Sequence, residues 1–585
     1  MASASQARSL LLTGARWLGG LIAVLVLLLI FVWPALMLAV GAFRSGSLTE
    51  VGNWTLEPFL RTLGQASTWK VTGNSLILAV AASFGGLALG TFLAWVAVRT
   101  TTPLRRYMTP LMALILVIPP LFYGLGWVLM LSGKSAPVNL LMHALFGVEE
   151  SLFASGWPTL ILIVTGFVVP VGYLFMVGPV GKIDSSAEDA ARMSGAGRAT
   201  AFFTITLPLL RPTMFGVFVL MTSYAFSAFE LPLLFGMPDD IYVFSTAVYS
   251  SLTASAAQPD YAGASTLSLI LMVLVVLLVA ARKLVTGRRQ FTTVSGKSFR
   301  AEARDYGRIQ WLFLAVFLVT IALSGVIPII QMVVGSFQPM FGVSGGFTTA
   351  NYETVLKAPR TGSSIVLTLV LALIGGLIAS SIALVLSHLA ARGGKGMKFL
   401  AGLTSWAPVA IPGVLIGLAL ISAYLPIPGL RTLIGTPVML LLGFIVVVTP
   451  IATRAVEGGV LQISVELEES ARISGASRLT TFFTIVLPLV LPSFLAGWVI
   501  AGVGIAGNLS LPVLLSSPTM QTVAVGAYSL YREGYASQAA AAFVLLMAAV
   551  LLTAAALGLL FFAIQKIRRA IQLKRLPSMK LKGES

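Results

Sequence analysis

The chain has 585 residues, of which 57% are hydrophobic and only 10% are charged, whereas soluble domains carry about 25% charged residues. Cysteine is absent and histidine occurs only at two positions, which excludes disulfides, thiolate metal sites and cysteine catalysis. A formal net charge of +18 is compatible with nucleic-acid binding, but the placement of the charges argues against it.

Each half of the sequence contains six apolar segments long enough to cross a ~30 Å hydrocarbon core. The first segment is interpreted as an uncleaved span, because it is longer than the apolar core of a signal peptide. The predicted spans of the first half lie near 18–43, 73–98, 108–131, 157–181, 209–236 and 261–284. Those of the second half lie near 309–337, 363–390, 399–423, 437–457, 489–516 and 536–565.

A basic segment over 282–308 separates the two halves. It contains the letters GKS, but a phosphate-binding loop needs a glycine where Phe291 stands, so no nucleotide site is encoded there. The predicted organisation is a first six-helix module, a basic cytoplasmic linker, a second six-helix module and a basic cytoplasmic tail, at 1–284, 285–308, 309–565 and 566–585.

An even number of spans returns each half to the side on which it began, so the halves are parallel repeats about an axis along the membrane normal. We therefore predict an all-α polytopic membrane protein with about twelve transmembrane helices in two pseudo-twofold six-helix repeats. With both termini in the cytoplasm, 30 of the 38 lysine and arginine residues lie on the cytoplasmic side. The basic clusters then set topology and attract anionic lipid, and we expect no nucleic-acid partner.

One polar segment occurs twice, 280 residues apart. EDAARMSGAGRATAFFTITLPLLRP begins at Glu188, EESARISGASRLTTFFTIVLPLVLP begins at Glu468, and 16 of the 25 positions are identical. Each copy predicts a short acidic helix ending at a glycine, a second short helix and then a spanning helix. We name these units the first plate (184–206) and the second plate (464–486). Two similar plates on one face predict docking to a partner that is itself twofold.

Caps and prolines delimit each plate in this prediction. Asp184 or Ser185 can cap the first helix, and Ser464 can cap its counterpart. Pro208 and Pro488 suit the first turn of the following membrane helix, where no backbone donor is needed.

The repeated segment resembles the cytoplasmic signature of permease subunits of ABC importers, which is E-A-A, three residues, G, nine residues, I-x-L-P. Both copies keep this spacing, with Asp189 in place of Glu and Ser470 in place of Ala. The resemblance implies that each copy forms a coupling helix seated in a groove of the ATP-hydrolysing subunit. The implied coupling residues are Glu188, Asp189, Ala190, Ala191, Gly195, Glu468, Glu469, Ser470, Ala471 and Gly475.

Two fused modules, with the segments at 229–249, 258–266 and 291–299, are similar to the Fe(III)-type permeases of that family. The resemblance implies import of Fe(III) or a similar small solute across the bacterial cytoplasmic (inner) membrane. It also implies two copies of an ATPase subunit that hold ATP and Mg, and a periplasmic or lipoprotein solute-binding protein. The chain itself is then no enzyme and binds no cofactor or metal. Thiamine, phosphonate or polyamine is an alternative cargo, and an ion-gradient-driven secondary transporter is the alternative class.

Two kinds of residue are candidates for the translocation path. Glu230 is ionisable within an apolar segment, and its counterpart in the second half is Ser510. It either lines the path and favours a cationic or hydrogen-bonding cargo, or pairs internally and stabilises the helix end. Prolines that break the third and ninth spans are either gating elements or packing kinks. The candidates are Glu230, Ser510, Asn508, Pro119, Pro120 and Pro412.

Overall fold

The computed structural model describes residues 24–45, 52–131, 136–147, 156–183, 186–254, 259–286, 303–341, 346–406, 408 and 411–575. Helices account for most of these residues, and their only β-structure consists of isolated bridges. The all-α prediction is therefore confirmed. The predicted cap residues Asp184 and Ser185, and the segment around Phe291, lie outside the described residues.

The described chain has ten continuous apolar helices long enough to cross a membrane and one bent pair of helices. The helices Lys395–Trp406 and Gly413–Tyr424 take the place of the predicted ninth span, and with them we number the spans 1–12. Spans 1–6 are Val24–Gly41, Ala66–Arg99, Arg105–Leu116 with Pro120–Leu131, Gly156–Lys182, Phe202–Phe226 and Tyr261–Ala281. Spans 7–12 are Ile309–Ser336, Thr361–Arg392, Lys395–Trp406 with Gly413–Tyr424, Pro437–Leu461, Leu479–Ala506 and Ala536–Leu559. The last helix continues to Arg575, so it takes in part of the predicted tail.

Shorter helices connect the spans. In the first half they are Glu57–Gly64, Pro137–Phe146, Ser186–Met193, Arg198–Ala201, Glu230–Phe235 and Phe244–Thr253. In the second half they are Ala350–Lys357, Val465–Ile473, Arg478–Thr481, Pro512–Leu515 and Val523–Arg532.

Proline breaks spans 3 and 9, as predicted. The two helices of span 3 meet at 97°, with Pro120 opening the second helix. In span 9 Pro412 has an extended backbone (φ −53°, ψ 146°) and precedes the helix that begins at Gly413. A proline has no N–H to donate and its ring clashes with the preceding turn, so a helix restarts at it more easily than it continues through it.

Spans 5 and 11 end earlier than the sequence pattern predicts. The helices stop at Phe226 and Ala506, and short helices follow at Glu230–Phe235 and Pro512–Leu515. Pro232 and Pro512 supply the physical reason, because each would clash with the carbonyl four residues earlier. Glu230 therefore opens a separate short helix instead of lying on span 5.

Four of the prolines inside continuous helices each lie two residues after a π-helical turn. They are Pro34, Pro208, Pro328 and Pro488. The wider π turn accommodates the proline ring and the missing donor without breaking the helix. Pro208 and Pro488 thus do not mark the helix start that the sequence suggests, since the helix runs into spans 5 and 11 from the plates.

Close helix packing at glycines holds each module together. Span 2 packs on span 4, and a Cβ placed on Gly172 would lie 2.7 Å from the Gly86 carbonyl oxygen. In the second module a Cβ on Gly376 would lie 2.9 Å from the Trp498 carbonyl oxygen of span 11. Small residues allow helix backbones to approach this closely where lipid offers no hydrophobic drive.

The two modules exchange their first spans. Span 1 packs on Gly413–Tyr424 of the second module, and span 7 packs on Pro120–Leu131 of the first. The Tyr424 hydroxyl donates to the Leu29 carbonyl at 3.0 Å, and the Gln331 side-chain amide donates to the Leu129 carbonyl at 3.3 Å. One of the apolar clusters contains buried residues of both modules.

Candidate coupling surface and translocation path

The repeated segment folds in the same way in both modules. The first plate contains the helices Ser186–Met193 and Arg198–Ala201, and the second contains Val465–Ile473 and Arg478–Thr481. The second helix of each plate continues through a π turn into span 5 or span 11 without a break. Each plate is therefore a direct extension of a spanning helix.

A left-handed glycine ends the first helix of each plate, with φ of +88° at Gly195 and +89° at Gly475. In the second plate the Ala476 N–H then donates to the Ala471 carbonyl at 3.0 Å, and the first plate makes the equivalent bond at the same distance. This six-residue closure requires a positive φ that only glycine adopts without strain. The geometry explains the glycine of the motif and its distance from the acidic residues.

Ser464, the predicted N-cap of the second plate, does not bond the helix backbone as expected. Ser464 occupies the N-cap position with an extended backbone, but its side chain makes no bond to the helix backbone. The backbone N–H of Glu466 and the Ser464 hydroxyl instead hold the pKa of the Glu466 carboxyl below its ordinary value. The helix start thus carries negative charge at the positive end of its dipole, which stabilises it.

An arginine at the end of span 2 or span 8 ties each plate to the helical bundle. The Arg99 guanidinium donates to the Ile183 carbonyl, and Arg392 donates to the equivalent Ile463 carbonyl at 2.6 Å. Arg392 also pairs with Glu468 at 3.1 Å, and these side chains are only 20% and 16% exposed. A guanidinium can serve both partners at once because its donors form a rigid fork.

The acidic residues of the first plate have other partners. Glu188 accepts a hydrogen bond from the Thr206 hydroxyl, and Asp189 pairs with Arg304 from the end of the linker. The Arg304 N–H in turn donates to the Arg99 carbonyl at 3.0 Å. The linker therefore returns to the end of span 2 and braces the first plate.

Aromatic side chains fill the space beneath both plates. Trp95 contacts Phe202 edge-to-face with ring centroids 5.6 Å apart, and His388 contacts the equivalent Phe482 at the same distance. Tyr306 of the linker also contacts Trp95 at 5.3 Å. Each plate is thus fixed from below by an aromatic contact as well as by an arginine.

The opposite face of each plate presents an apolar side chain that no other described residue covers. Met193 is 90% exposed, and the equivalent Ile473 is 87% exposed. Ala190, Glu469 and Ser470 of the motif are exposed as well. Both copies of the repeat therefore expose a large apolar side chain at the same position in the first helix of the plate.

Sequence reasoning selected the motif residues but missed those that hold and complete the plates. Arg99 and Arg392 carry a detectable signal, since each ends a long apolar helix just before a polar turn. The aromatic contacts leave a weaker signal in the sequence, because the equivalent positions in the two modules hold different residue types. The residues missed are Arg99, Arg392, Arg304, Trp95, His388, Met193 and Ile473.

Glu230 lies at the interface between the two modules. Its Oε1 accepts the backbone N–H groups of Leu509 at 3.3 Å and Ser510 at 3.2 Å, and the residue is 6% exposed. The interpretation that it pairs internally therefore describes this state of the molecule, and its partners belong to the opposite module.

The remaining path candidates surround this contact. A Cβ on Gly507 would lie 2.1 Å from Pro119 Cβ, and a Cβ on Gly413 would lie 2.2 Å from Ser510 Oγ. Ser510 donates its hydroxyl to Asn508 Oδ1 at 3.3 Å, which closes the turn locally. The structure gathers all six candidates here, directly or through a neighbouring residue: Glu230, Asn508, Ser510, Pro119, Pro120 and Pro412.

Comparison with known proteins agrees with the repeat. The family described as binding-protein-dependent transport system inner membrane component matches the chain twice, at residues 86–289 and 383–569. The two matches cover both plates and both broken spans. The same domain is therefore present twice in one chain.

Three relatives illustrate the similarity. The ferric transport system permease protein FbpB of Actinobacillus pleuropneumoniae is 28% identical over 535 residues, which cover 88% of this chain and 74% of that protein. The putative ferric transport system permease protein FbpB 1 of Haemophilus influenzae is 27% identical, over 85% of this chain and 78% of that protein. The molybdenum transport system permease protein ModB of Escherichia coli is 27% identical over 213 residues, which are 36% of this chain and 91% of that protein.

The long relatives therefore match both modules, whereas the shorter one matches the length of a single module. With two family matches, ten or eleven apolar spans among the described residues and two plates of one design, the chain belongs to the family of binding-protein-dependent transport system inner membrane components.

Proposed function

We propose that the chain is the permease subunit of an ABC importer for Fe(III), with the plates facing the cytoplasm. Two ATPase subunits bind one plate each and carry ATP and Mg, and a periplasmic or lipoprotein binding protein delivers the cargo at the opposite end. The permease chain itself catalyses no reaction. Both termini lie in the cytoplasm of this arrangement, in accord with the distribution of lysine and arginine.

The observation that carries the proposal is the equivalence of the two plates. Each places an exposed apolar residue, Met193 or Ile473, on a short helix that is anchored to two spans. When the ATPase dimer closes, the plates move together, and the helices continuous with them change the packing of the modules. Nucleotide binding then shifts the population between inward and outward access.

The cargo assignment is supported by the relatives that cover most of this chain. Both long relatives are ferric transport permeases by name, and their alignments cover 88% and 85% of this chain. The single-module relative is named for molybdenum, which illustrates that the domain alone does not specify the solute. Thiamine, phosphonate and polyamine are the competing cargoes.

The proposal is tested with the chain reconstituted in proteoliposomes together with its ATPase subunit and binding protein. We expect uptake of Fe(III) that requires both partners and ATP. Uptake driven by a proton or sodium gradient without ATP would contradict the importer and favour a secondary transporter. ATP-driven uptake of thiamine, phosphonate or polyamine but not of Fe(III) would contradict only the cargo.

A further inference from the structure

Glu230 and Ser510 lie on the pseudo-twofold axis of the molecule. The plates, the π turns after them and spans 5 and 11 all match with an offset of 280 residues, and the same offset relates Glu230 to Ser510. Two equivalent positions of a twofold pair approach each other only at the axis. Since Glu230 Oε1 lies 3.2 Å from the Ser510 nitrogen, the axis passes between these residues.

The contact closes the space between the modules at this level. Phe229 and Leu509, next to the two residues, are both fully buried, and both belong to one apolar core shared by the modules. Pro119 fills the neighbouring position against Gly507 of the other module. A solute that moves along the axis has to separate Glu230 from the Leu509 and Ser510 N–H groups.

The residue type at this position is not explained by packing. Glu230 is the only carboxylate that is buried among the described residues, and no basic side chain there forms an ion pair with it. The second module has Ser510 at the equivalent position, so the turn itself does not need an acid. Burying a carboxylate away from a cation is unfavourable, so a neutral acceptor would hold the modules together at lower cost.

A carboxylate at the axis can bind a solute that is a hard cation, because such ions prefer oxygen ligands. No group of three or more His, Asp or Glu residues within the described chain could hold a metal ion, so Glu230 offers a single ligand and no storage site. A single ligand is suited to transport, which requires binding weak enough to release the ion.

We propose that Glu230 is a cation-contacting gate residue of the translocation path. Its carboxylate closes the path by accepting the Leu509 and Ser510 N–H groups, and a hard cation replaces those groups as its partner when the modules separate. This inference rests on the proposed import of Fe(III), and it adds the residue that contacts the ion.

Two substitutions separate the closing contact from the charge. Glu230→Gln keeps an oxygen that accepts the two N–H groups but removes the negative charge, whereas Glu230→Ala removes both. In proteoliposomes with the ATPase subunit and binding protein, we expect Glu230→Gln to lower Fe(III) uptake about tenfold or more while ATP hydrolysis still depends on the binding protein. We expect Glu230→Ala to lower uptake and to raise hydrolysis without the binding protein, because the closed state has lost its contact.

Glu457→Gln is the matched control, since Glu457 also lies in a span but pairs with Arg454 at 3.1 Å within the same helix. We expect wild-type uptake and hydrolysis from it. Wild-type Fe(III) uptake by Glu230→Gln, or binding-protein-dependent hydrolysis that is unchanged in Glu230→Ala, overturns the gate residue while the importer stands. A wild-type protein that transports no Fe(III) overturns the proposed cargo and this inference together.

Discussion

At the residue scale, Arg392 connects three parts of the second module: the end of span 8, the end of span 10 and the second plate. Its guanidinium reaches the Ile463 carbonyl at 2.6 Å and the Glu468 carboxylate at 3.1 Å. In the first module these contacts come from two arginines. Arg99 donates a hydrogen bond to the Ile183 carbonyl, and Arg304 forms an ion pair with Asp189. The two plates thus have one backbone geometry and different electrostatic support.

This arrangement predicts that Arg392→Lys loosens the second plate. A lysine has one compact charge and cannot serve both partners, so the plate loses about 1–3 kcal/mol of local stability. Hydrogen exchange measured by mass spectrometry should show faster exchange across Val465–Ile473 and unchanged exchange across Ser186–Met193. Arg454→Lys is the control, because its pair with Glu457 lies within one helix, away from the plates, and both side chains are 35% exposed. Equal exchange in wild type and Arg392→Lys would show that the arginine does not anchor the plate.

The plates themselves were predictable from residues, and the reason is local. Glycine at the end of an acidic helix specifies a left-handed closure whatever surrounds it, and Gly195 and Gly475 both adopt that backbone. The partner of Glu230 was not predictable, since it consists of two backbone N–H groups on a segment 279 and 280 residues away. No side-chain pattern marks a backbone donor.

At the element scale, proline affects these helices in three different ways. At Pro120 and Pro412 the helix stops and restarts, whereas at Pro208 and Pro488 it passes through after a π turn. Pro170 and Pro450 lie inside continuous α-helices without a π turn. A proline in an apolar run therefore does not by itself decide whether the helix breaks, widens or continues. The early ends of spans 5 and 11 have the same cause, and for that reason the sequence pattern overestimates both helices.

Glycine packing between spans 2 and 4 yields a second prediction at this scale. Gly172→Ala places a Cβ 2.7 Å from the Gly86 carbonyl oxygen, so the two backbones have to move apart, at a cost of about 1–3 kcal/mol. We expect a lower melting temperature of the detergent-solubilised protein, measured by the loss of monodisperse protein on heating.

The control is Gly178→Ala on the same helix. A Cβ at Gly178 meets no atom within 4 Å, and alanine favours a helix over glycine by about 0.5–1 kcal/mol. Gly178→Ala should therefore leave the melting temperature unchanged or raise it slightly. If Gly172→Ala behaves in the same way, spans 2 and 4 are not in close backbone contact.

At the scale of the whole molecule, the exchange of first spans makes the two modules mutually dependent. Span 1 of the first module packs against span 9 of the second, and span 7 of the second module packs against span 3 of the first. Sequence periodicity does not predict this exchange, because an apolar helix is equally compatible with lipid and with either module. The apolar spans and the repeat can be predicted from the sequence, whereas the neighbour that each span packs on depends on the tertiary structure.

The exchange predicts that neither module folds alone. If the chain is cut within 287–302, the two parts should associate when co-expressed and co-purify in detergent, whereas each part expressed alone should aggregate. Size-exclusion chromatography with a tag on one part measures this directly. A monodisperse first module in the absence of the second would contradict the packing of span 1 on the second module.

The account depends most on the plates as the cytoplasmic docking surface for the ATPase subunits, and the absence of cysteine in the wild-type chain allows a direct measurement. Met193→Cys and Ile473→Cys are labelled with a membrane-impermeant maleimide in intact cells and in inverted vesicles. Met340→Cys, 67% exposed at the opposite end of span 7, is the control. We predict that the two plate cysteines react only in inverted vesicles and are protected there by the ATPase subunit, while the control reacts only in intact cells. Labelling of the plate cysteines in intact cells, or equal labelling with and without the ATPase subunit, would contradict the account.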